Sequence, residues 1–344
     1  MRRGLAVAAL ALVIVAVGAA GVGYLQIASF RAAPFGSTAE KVVEVPTGSS
    51  PRAVIRSLAA AGVLSEQRLA WLYFRWIRRD PRPFKAGQYA FSGPLKPDEV
   101  FERIQHGDVK LYRFTVPEGL RIEEIAEIVE RSGLARADEF ARLARDAGFA
   151  GALQVPFPTL EGYLYPETYS FPRGVTAQRI LEAMVRRFRE VLAAAEVKRQ
   201  PAVLLSEKEV VTLASIVEKE TGQPAERPRI ACVFQNRLRK GMKLQTDPTV
   251  MYATFLRTGR WSKNISKADL LTPHPYNTYA VHGLPPGPVA NAGAAAVEAV
   301  LAPLACNDLY FVSRNDGSHV FCPTLACHNA AVQKWQVEFH RKKR

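Results

Sequence analysis

The chain opens on an unbroken apolar run. From Gly4 to Leu25 no side chain is charged, a stretch of about 22 residues. At the helical rise this matches a hydrocarbon core about 30 Å thick. The pattern predicts one membrane-spanning helix, with Arg2 and Arg3 holding the N-terminus in the cytoplasm by the positive-inside rule. A cleaved signal peptide is the alternative. Its apolar region is ordinarily about 7–15 residues, shorter than this one, although the small residues of VGAAG suit a cleavage site. After a polar linker, RAAPFGSTAEK, the pattern breaks into short units. VPTGSSPRAVIRSLAAAGVL (45–64) and VPEGLRIEEIAEIVERSGL (116–134) repeat with an offset of 71 residues. Each predicts a strand, a glycine turn and an amphipathic helix closed by glycine. In the second copy Ile122, Ile125, Ala126, Ile128 and Val129 keep helical spacing. Between the copies, FKAGQYAFSGPLKPDEVFERIQHGDV predicts a hairpin and then a helix, and DEFARLARDAGFAGAL predicts one more helix. TLEGYLYPETYSFPRG (159–174) has no helical period, whereas TAQRILEAMVRRFREVLAAAEV reads as a long amphipathic helix.

SEKEVVTLASIVEKETG carries the candidate chemistry. Ser206 and Glu209 form a capping box, and Gly222 stands where a left-handed C-cap belongs, followed by Pro224. The predicted helix is Glu207–Thr221. Val210, Val211, Leu213, Ala214, Ile216 and Val217 cover a broad apolar arc, with Glu218 at one margin and Glu220 at the other. Periodicity does not choose between them. Residues two apart point away from each other, so the two carboxylates cannot flank one scissile bond as a glycosidase pair does. Both sit at the negative end of the helix dipole, which disfavours charge. Burial of Glu218 against Val211 and Ala214 would raise its pKa further. It is a candidate general acid, or else part of a solvated helix end compensated by Lys219.

Two irregular segments follow. FQNRLRKGMKLQTDPTVMYA brings Asn236, Gln245, Asp247 and Tyr252 together in sequence. HPYNTYAVHGLPPGPVANAG holds Tyr276, Asn277, Tyr279, His282 and Asn291 and has too much Pro and Gly for regular structure. Amides and aromatics in irregular backbone suit the wall of a sugar-binding cleft; a rigid surface loop is the plainer reading. The 344 residues carry 46 Lys+Arg against 32 Asp+Glu, a net charge of +14. An anionic polymer or membrane surface is the partner this favours; an extracytoplasmic chain argues against nucleic acid. Cys232, in IACVF, reads as an unpaired core residue. Cys306, Cys322 and Cys327 have poor metal-ligand spacing, so no metal site or cofactor is predicted. In an oxidising compartment Cys322 is expected to bridge to Cys306 or Cys327, without a part in the chemistry; free thiols are the alternative.

The ordered blocks LEGYLYPETYSF, LASIVEKET, VFQNRL, LQTDPTVMYA, PYNTYAVHGLPPGPVAN and LYFVSRNDGSHVF resemble the YceG-like family of endolytic murein transglycosylases, the membrane-anchored terminases of peptidoglycan strands. The resemblance covers most of the chain after the apolar run. It departs at NAG (291–293), where the family more often has Asn-Pro-Gly, and at FCPTLACHNAAV, a stretch that usually lacks cysteines. It implies an α+β protein: a cytoplasmic N-terminus and transmembrane helix (1–30), a linker (31–40), a LysM-like repeat domain (41–145) and a mixed α/β catalytic domain (155–342). It implies residence in the cell inner membrane with the catalytic domain outside the cytoplasm, peptidoglycan strands as substrate and peptidoglycan synthases as possible partners. Glu218 is then the catalyst. It would protonate the oxygen leaving MurNAc C1, and its carboxylate would take the C6 hydroxyl proton as a 1,6-anhydro ring closes. Glu220, Asn236, Gln245, Asp247, Tyr276, Asn277 and Asn291 are read as substrate-binding. Two rivals stay open: a hydrolytic muramidase with Asp247, Glu161 or Glu167 as second carboxylate, and a non-catalytic wall-binding protein working through its repeats.

Overall fold

A computed structural model describes residues 2–342. Met1 and the last two residues lie outside the described residues, as do the side chains of residues 2–5, 340 and 342. The Arg2–Arg3 flank that orients the predicted span is therefore not among the described side chains. Packing divides the chain into two compact units. One takes the described residues up to Tyr112 with Phe171–Gly174; the other takes Arg113–Ser170 and the residues from Val175 on.

The first unit begins with α1 (Arg2–Ala32), whose segment Ala6–Ala32 is long and apolar enough to cross a membrane. Its apolar side chains stand exposed until Ile27 and Phe30 turn into the core of the unit. Then come β1 (Lys41–Val45), α2 (Pro51–Ala60), α3 (Gln67–Leu72), a π-helical turn over Tyr73–Arg78, β2 (Gly87–Phe91) and α4 (Pro97–His106). The hairpin expected around residues 84–109 does not form. GQYAF pairs instead with the distant β1, antiparallel, from Lys41↔Phe91 to Val45↔Gly87. Both strands bury one face, Val43 and Val45 with Tyr89 and Phe91, onto Ile55, Leu58, Phe101 and Ile104. A strand with one apolar face takes the partner that shares that face, however far along the chain it lies.

The second unit contains β3 (Leu111–Thr115), α5 (Ile122–Arg131), α6 (Ala137–Ala144), α7 (Ala147–Ala152), β4 (Thr168–Pro172), α8 (Ala177–Glu196), α9 (Glu207–Glu220), α10 (Arg227–Arg239), α11 (Asp247–Thr258), α12 (Lys267–Leu271), α13 (Ala294–Leu301), β5 (Tyr310–Ser313), β6 (His319–Cys322) and α14 (Leu325–Val332). The division between units falls inside β3 and β4. Among the described residues the strands form three two-stranded sheets, so the mixed fold is dominated by helices. The single helix expected over residues 138–153 is two, because the Asp146 carboxylate accepts the Phe149 N–H at 2.6 Å and caps a new helix. The repeat is real in backbone terms. Both copies run strand, turn, helix, and the matched pairs Gly48/Gly119 and Gly62/Gly133 all take positive φ between 67° and 78°, where a side chain is costly.

Helix α9 is the core of this unit. Val210, Leu213, Ala214, Ile216 and Val217 are fully buried, and α13 lies against α8, α9 and α10. Its capping box forms as expected, Ser206 Oγ accepting from Glu209 N–H and the Glu209 carboxylate accepting from Ser206 N–H at 2.8 Å. Its C-terminus does not. The helix stops at Glu220, Thr221 is extended (φ −139°, ψ 137°), and Gly222 has no positive φ. The cysteines also differ from expectation. Cys232 is not an unpaired core residue: it is bonded to Cys306, and Cys322 is bonded to Cys327. A 74-residue separation hid the first pair; the second was one of the two bridges foreseen.

Candidate active site

The two carboxylates of α9 look in different directions. Ser215 and Glu218, three apart, share the face on which the Val289–Gly293 backbone runs. Ser215 Oγ accepts the Val289 N–H at 3.0 Å, and Glu218 Oε2 accepts the Gly293 N–H at 3.1 Å. Glu218 Oε1 accepts from Arg227 Nη2 at 2.7 Å. That guanidinium, buried in the first turn of α10, is also 3.5 Å from Glu118 Oε2. Glu218 is 9% exposed and both of its oxygens are in use. Burial raises its pKa, the Gly293 N–H and Arg227 oppose that, and the charge of Glu118 adds to it. A carboxylate held by a cation and an amide braces the helix against the 289–293 segment; Glu218 is not in the lining of the cleft at the end of α9.

Glu220 faces an open cleft of about 360 Å³. Gln245, Asp247, Arg237, Tyr279, Phe311 and His328 line it with Glu220. Burial of the carboxyl pushes its pKa up to about 7; the Thr246 hydroxyl, which donates to it, works in the other direction, and the nearby charge of Asp247 adds to the rise. The local sequence builds this wall for a reason. Gln245 sits at φ +51°, its N–H donating to Thr278 O at 3.2 Å, and this bend delivers Thr246 to Glu220. Thr246 is the N-cap residue of α11, yet its hydroxyl does not cap the helix. Asp247 Oδ1 accepts from Tyr279 Oη at 2.7 Å. Arg237 spends Nη1 on Leu244 O at 2.7 Å and Nε on Leu309 O at 2.6 Å, fixing the floor. His328 stacks on Tyr310 with ring centroids 5.2 Å apart. Burial lowers its pKa, and its buried Nδ1 has no partner among the described residues.

Of the eight residues read as catalytic or substrate-binding, the cleft gathers three, Glu220, Gln245 and Asp247; Tyr279, noted in the second irregular segment, lines it too, whereas Tyr252 and His282 do not. The three asparagines are buried and committed to the scaffold. Asn236 Nδ2 donates to Asp308 O at 2.9 Å and Cys306 O at 3.1 Å. Asn277 Nδ2 binds three carbonyls around the end of α12, the shortest at 2.8 Å to Thr272 O. Asn291 accepts from Leu164 N–H at 2.8 Å and donates to Leu120 O and Glu161 Oε1. Tyr276 packs on Tyr252 at 5.0 Å and is outside the cleft lining. Glu161, 2% exposed, receives Asn291, Tyr252 and the Ile122 N–H; burial, with the charge of Glu123, pushes its carboxyl up to about 8. Glu167 is ion-paired to Arg187 at 2.7 Å. Residues the sequence reading missed are Arg227, Glu118, Arg237, Thr246, Phe311 and His328. Arg227 carried a signal: a cation in the first turn of a helix opposes the dipole and needs a nearby carboxylate to justify it. The aromatic cleft wall carried none, because β5 and α14 reach the cleft only through the fold.

A carboxyl kept near neutrality and open to a polar cleft is suited to deliver a proton and take one back. Comparison with known proteins bears on the reaction. Residues 43–334 match the YceG-like family. An endolytic murein transglycosylase of Bacillus subtilis (strain 168) is 33% identical over 312 residues, covering 85% of this chain and 84% of that protein. An endolytic murein transglycosylase of Streptococcus pneumoniae (strain D39) is 29% identical over 319 residues; the match takes in 81% of this chain but only 56% of the pneumococcal protein. The crystal structure of a YceG-like protein from Listeria monocytogenes superposes with a TM-score of 0.57 at 32% identity, over 86% of this chain and all of that one. By the extent of these matches the chain belongs to the YceG-like family.

Proposed function

We propose that this protein is an endolytic lytic transglycosylase that cuts MurNAc-β-1,4-GlcNAc bonds within peptidoglycan strands and leaves 1,6-anhydro-MurNAc ends. The observation that carries the assignment of residues is the cleft at the end of α9, with Glu220 in it and Glu218 turned away. Glu220, not Glu218, is the acid and base of this proposal. Its protonated carboxyl gives its proton to the oxygen leaving MurNAc C1. The resulting carboxylate takes the proton of the C6 hydroxyl as that oxygen closes on C1, so no water enters and no second carboxylate is needed. Gln245, Asp247 and Tyr279 supply polar contacts to the sugar, and Phe311 an apolar face. Glu218 is a positioning residue, holding α9 to Arg227 and Gly293.

The remaining parts of the reading belong to the same proposal. The helix over Ala6–Ala32 anchors the protein in the inner membrane with the N-terminus in the cytoplasm. The functional division is an anchor (1–30), a linker (31–40), a LysM-like repeat domain (41–145) and a catalytic domain (155–342). Peptidoglycan synthases are its candidate partners. The test is anhydro-MurNAc release from uncrosslinked glycan strands, read by mass spectrometry. Glu220→Gln is expected to lose at least about 10³-fold, near the upper end of a general acid–base contribution, with its melting temperature kept. Glu218→Gln is expected to retain more activity and to lose stability. The reverse ranking returns the catalyst to Glu218. A second reading is a muramidase with Asp247 activating water, since Asp247 lines the same cleft; reducing MurNAc ends in place of anhydro ends would select it.

A further inference from the structure

We infer that the helical segment Gln67–Arg79 is a membrane-surface contact that seats the first unit on anionic phospholipid headgroups beside the transmembrane helix. The inference rests on the anchor reading of α1 and extends it to a second, peripheral site. The segment has two faces. Tyr73 and Phe74 point into the core, while Leu72, Trp76 and Ile77 are 40%, 56% and 46% exposed. Arg68, Arg75 and Arg79 are exposed on the same stretch, and the Arg75 guanidinium lies 5.1 Å from the Trp76 ring centroid. Between Gln67 and Lys85 the sole acid is Asp80, against six basic residues. Asp80 is already held by Arg82 and Arg78. An exposed Trp with neighbouring aliphatics and arginines is the composition of an interfacial helix.

Position decides the occupant. The unbroken apolar run ends at Leu25, before the polar Gln26, and charge returns at Arg31; Ile27 and Phe30 of the same helix are built into the core of the unit. Phe30 packs on Tyr73 at 6.2 Å between centroids. Asp98 ties the parts together: it accepts from Tyr73 Oη at 2.6 Å, from Arg78 Nη1 at 2.6 Å and from Arg31 Nε at 3.3 Å. Five residues of helix beyond Leu25 rise only about 8 Å, the depth of a headgroup layer. The α3 segment is thereby held at the height of the interface by contacts to α1 itself. A groove of about 710 Å³ runs between them, lined by Gln26, Ser29 and Phe30 on one side and Arg68, Leu69 and Leu72 on the other. A polar and apolar groove open at that height suits a phospholipid. Arg68 in the lining favours an anionic headgroup; Glu66, the one acid there, already accepts the Arg68 and Leu69 N–H groups as the cap of α3. Trp76 belongs to the aromatic belt of the same interface.

The test uses the full chain reconstituted in vesicles of phosphatidylglycerol and phosphatidylcholine, the latter brominated near the carbonyl end of its acyl chains. Flotation reports the anchor, and bromine quenching of tryptophan reports the surface. The expected result is flotation with quenching, and loss of the quenchable emission in Trp76→Phe, which keeps Trp71, Trp261 and Trp335. In Arg75→Glu/Arg79→Glu the quenching is expected to fall while flotation stays. Flotation with equal quenching of wild type and Trp76→Phe overturns the inference and leaves the anchor standing. Failure to float overturns both. Shielding of Trp76 from aqueous iodide without bromine quenching assigns the face to a second copy of the chain and also overturns it.

Discussion

Thr246 stands at the head of α11 and gives its hydroxyl to Glu220 rather than to the helix. The cost of an unmade cap is about 1 kcal/mol, and what it sets is the proton affinity of the carboxyl opposite. The first step of the proposed reaction needs Glu220 protonated, so activity is lost as pH rises through its pKa, which burial holds at about 7. The donor hydroxyl of Thr246 favours the charged form and lowers that pKa; the charge of Asp247 raises it. The alkaline limb of kcat/KM is therefore expected to move to higher pH in Thr246→Val and to lower pH in Asp247→Asn. Profiles that coincide with wild type in both variants exclude Glu220 as the titrating acid. In the sequence, helical geometry alone showed that Glu218 and Glu220 diverge. Which of them meets open space was not legible there, because the answer lies in Arg227, Gly293 and Thr246, residues 9, 75 and 26 positions away. The partners of the Asn236, Asn277 and Asn291 amides were illegible for the same reason. An amide beside irregular backbone serves a sugar or a carbonyl equally well, and here the carbonyls are within reach.

Elements with their own period and caps were legible: α5, α8 and the start of α9 stand where the pattern put them. Pairing of strands and the ends of helices were not, since both depend on what arrives from elsewhere. Gly222 looked like a left-handed cap and is not one. The extended Thr221 already turns the chain, and a Cβ on Gly222 would meet nothing within 4 Å. Gly222→Ala is expected to be neutral or to stabilise by up to about 1 kcal/mol through the unfolded chain. Gly162 is the contrasting case. Its φ is +84°, and an added Cβ would lie 2.6 Å from Pro288 Cβ and 3.0 Å from Val211 Cγ1. Gly162→Ala is expected to destabilise by more than about 1 kcal/mol, with consequences for the register of the 288–293 segment on α9. Urea unfolding of the two variants checks this; a Gly222→Ala loss as large as that of Gly162→Ala would restore the cap that the sequence suggested.

At the scale of the molecule, the two disulfides act on the second unit in unequal ways. Cys232–Cys306 joins α10 to the segment after α13 across 74 residues, and Cys322–Cys327 joins β6 to α14 across 5. The bridge that constrains the larger loop removes more freedom from the unfolded chain. Loop-closure entropy puts the first at about 4 kcal/mol and the second at about 2 kcal/mol. The native contacts argue in the same direction. Asn236, one turn along α10 from Cys232, donates to the carbonyls of Cys306 and Asp308, so the first bridge and that amide hold one junction of the core. The second bridge secures only the start of α14, where Cys327 itself is exposed. Non-reducing peptide mapping is expected to recover Cys232 with Cys306 and Cys322 with Cys327. At about 2–4 °C per kcal/mol for a domain of this size, Cys232→Ser/Cys306→Ser should lower Tm by roughly 10 °C. Cys322→Ser/Cys327→Ser should lower it by about half as much. Equal losses, or a larger loss for the second pair, would mean that the short bridge acts through native packing around His328 rather than through the length of the loop it closes.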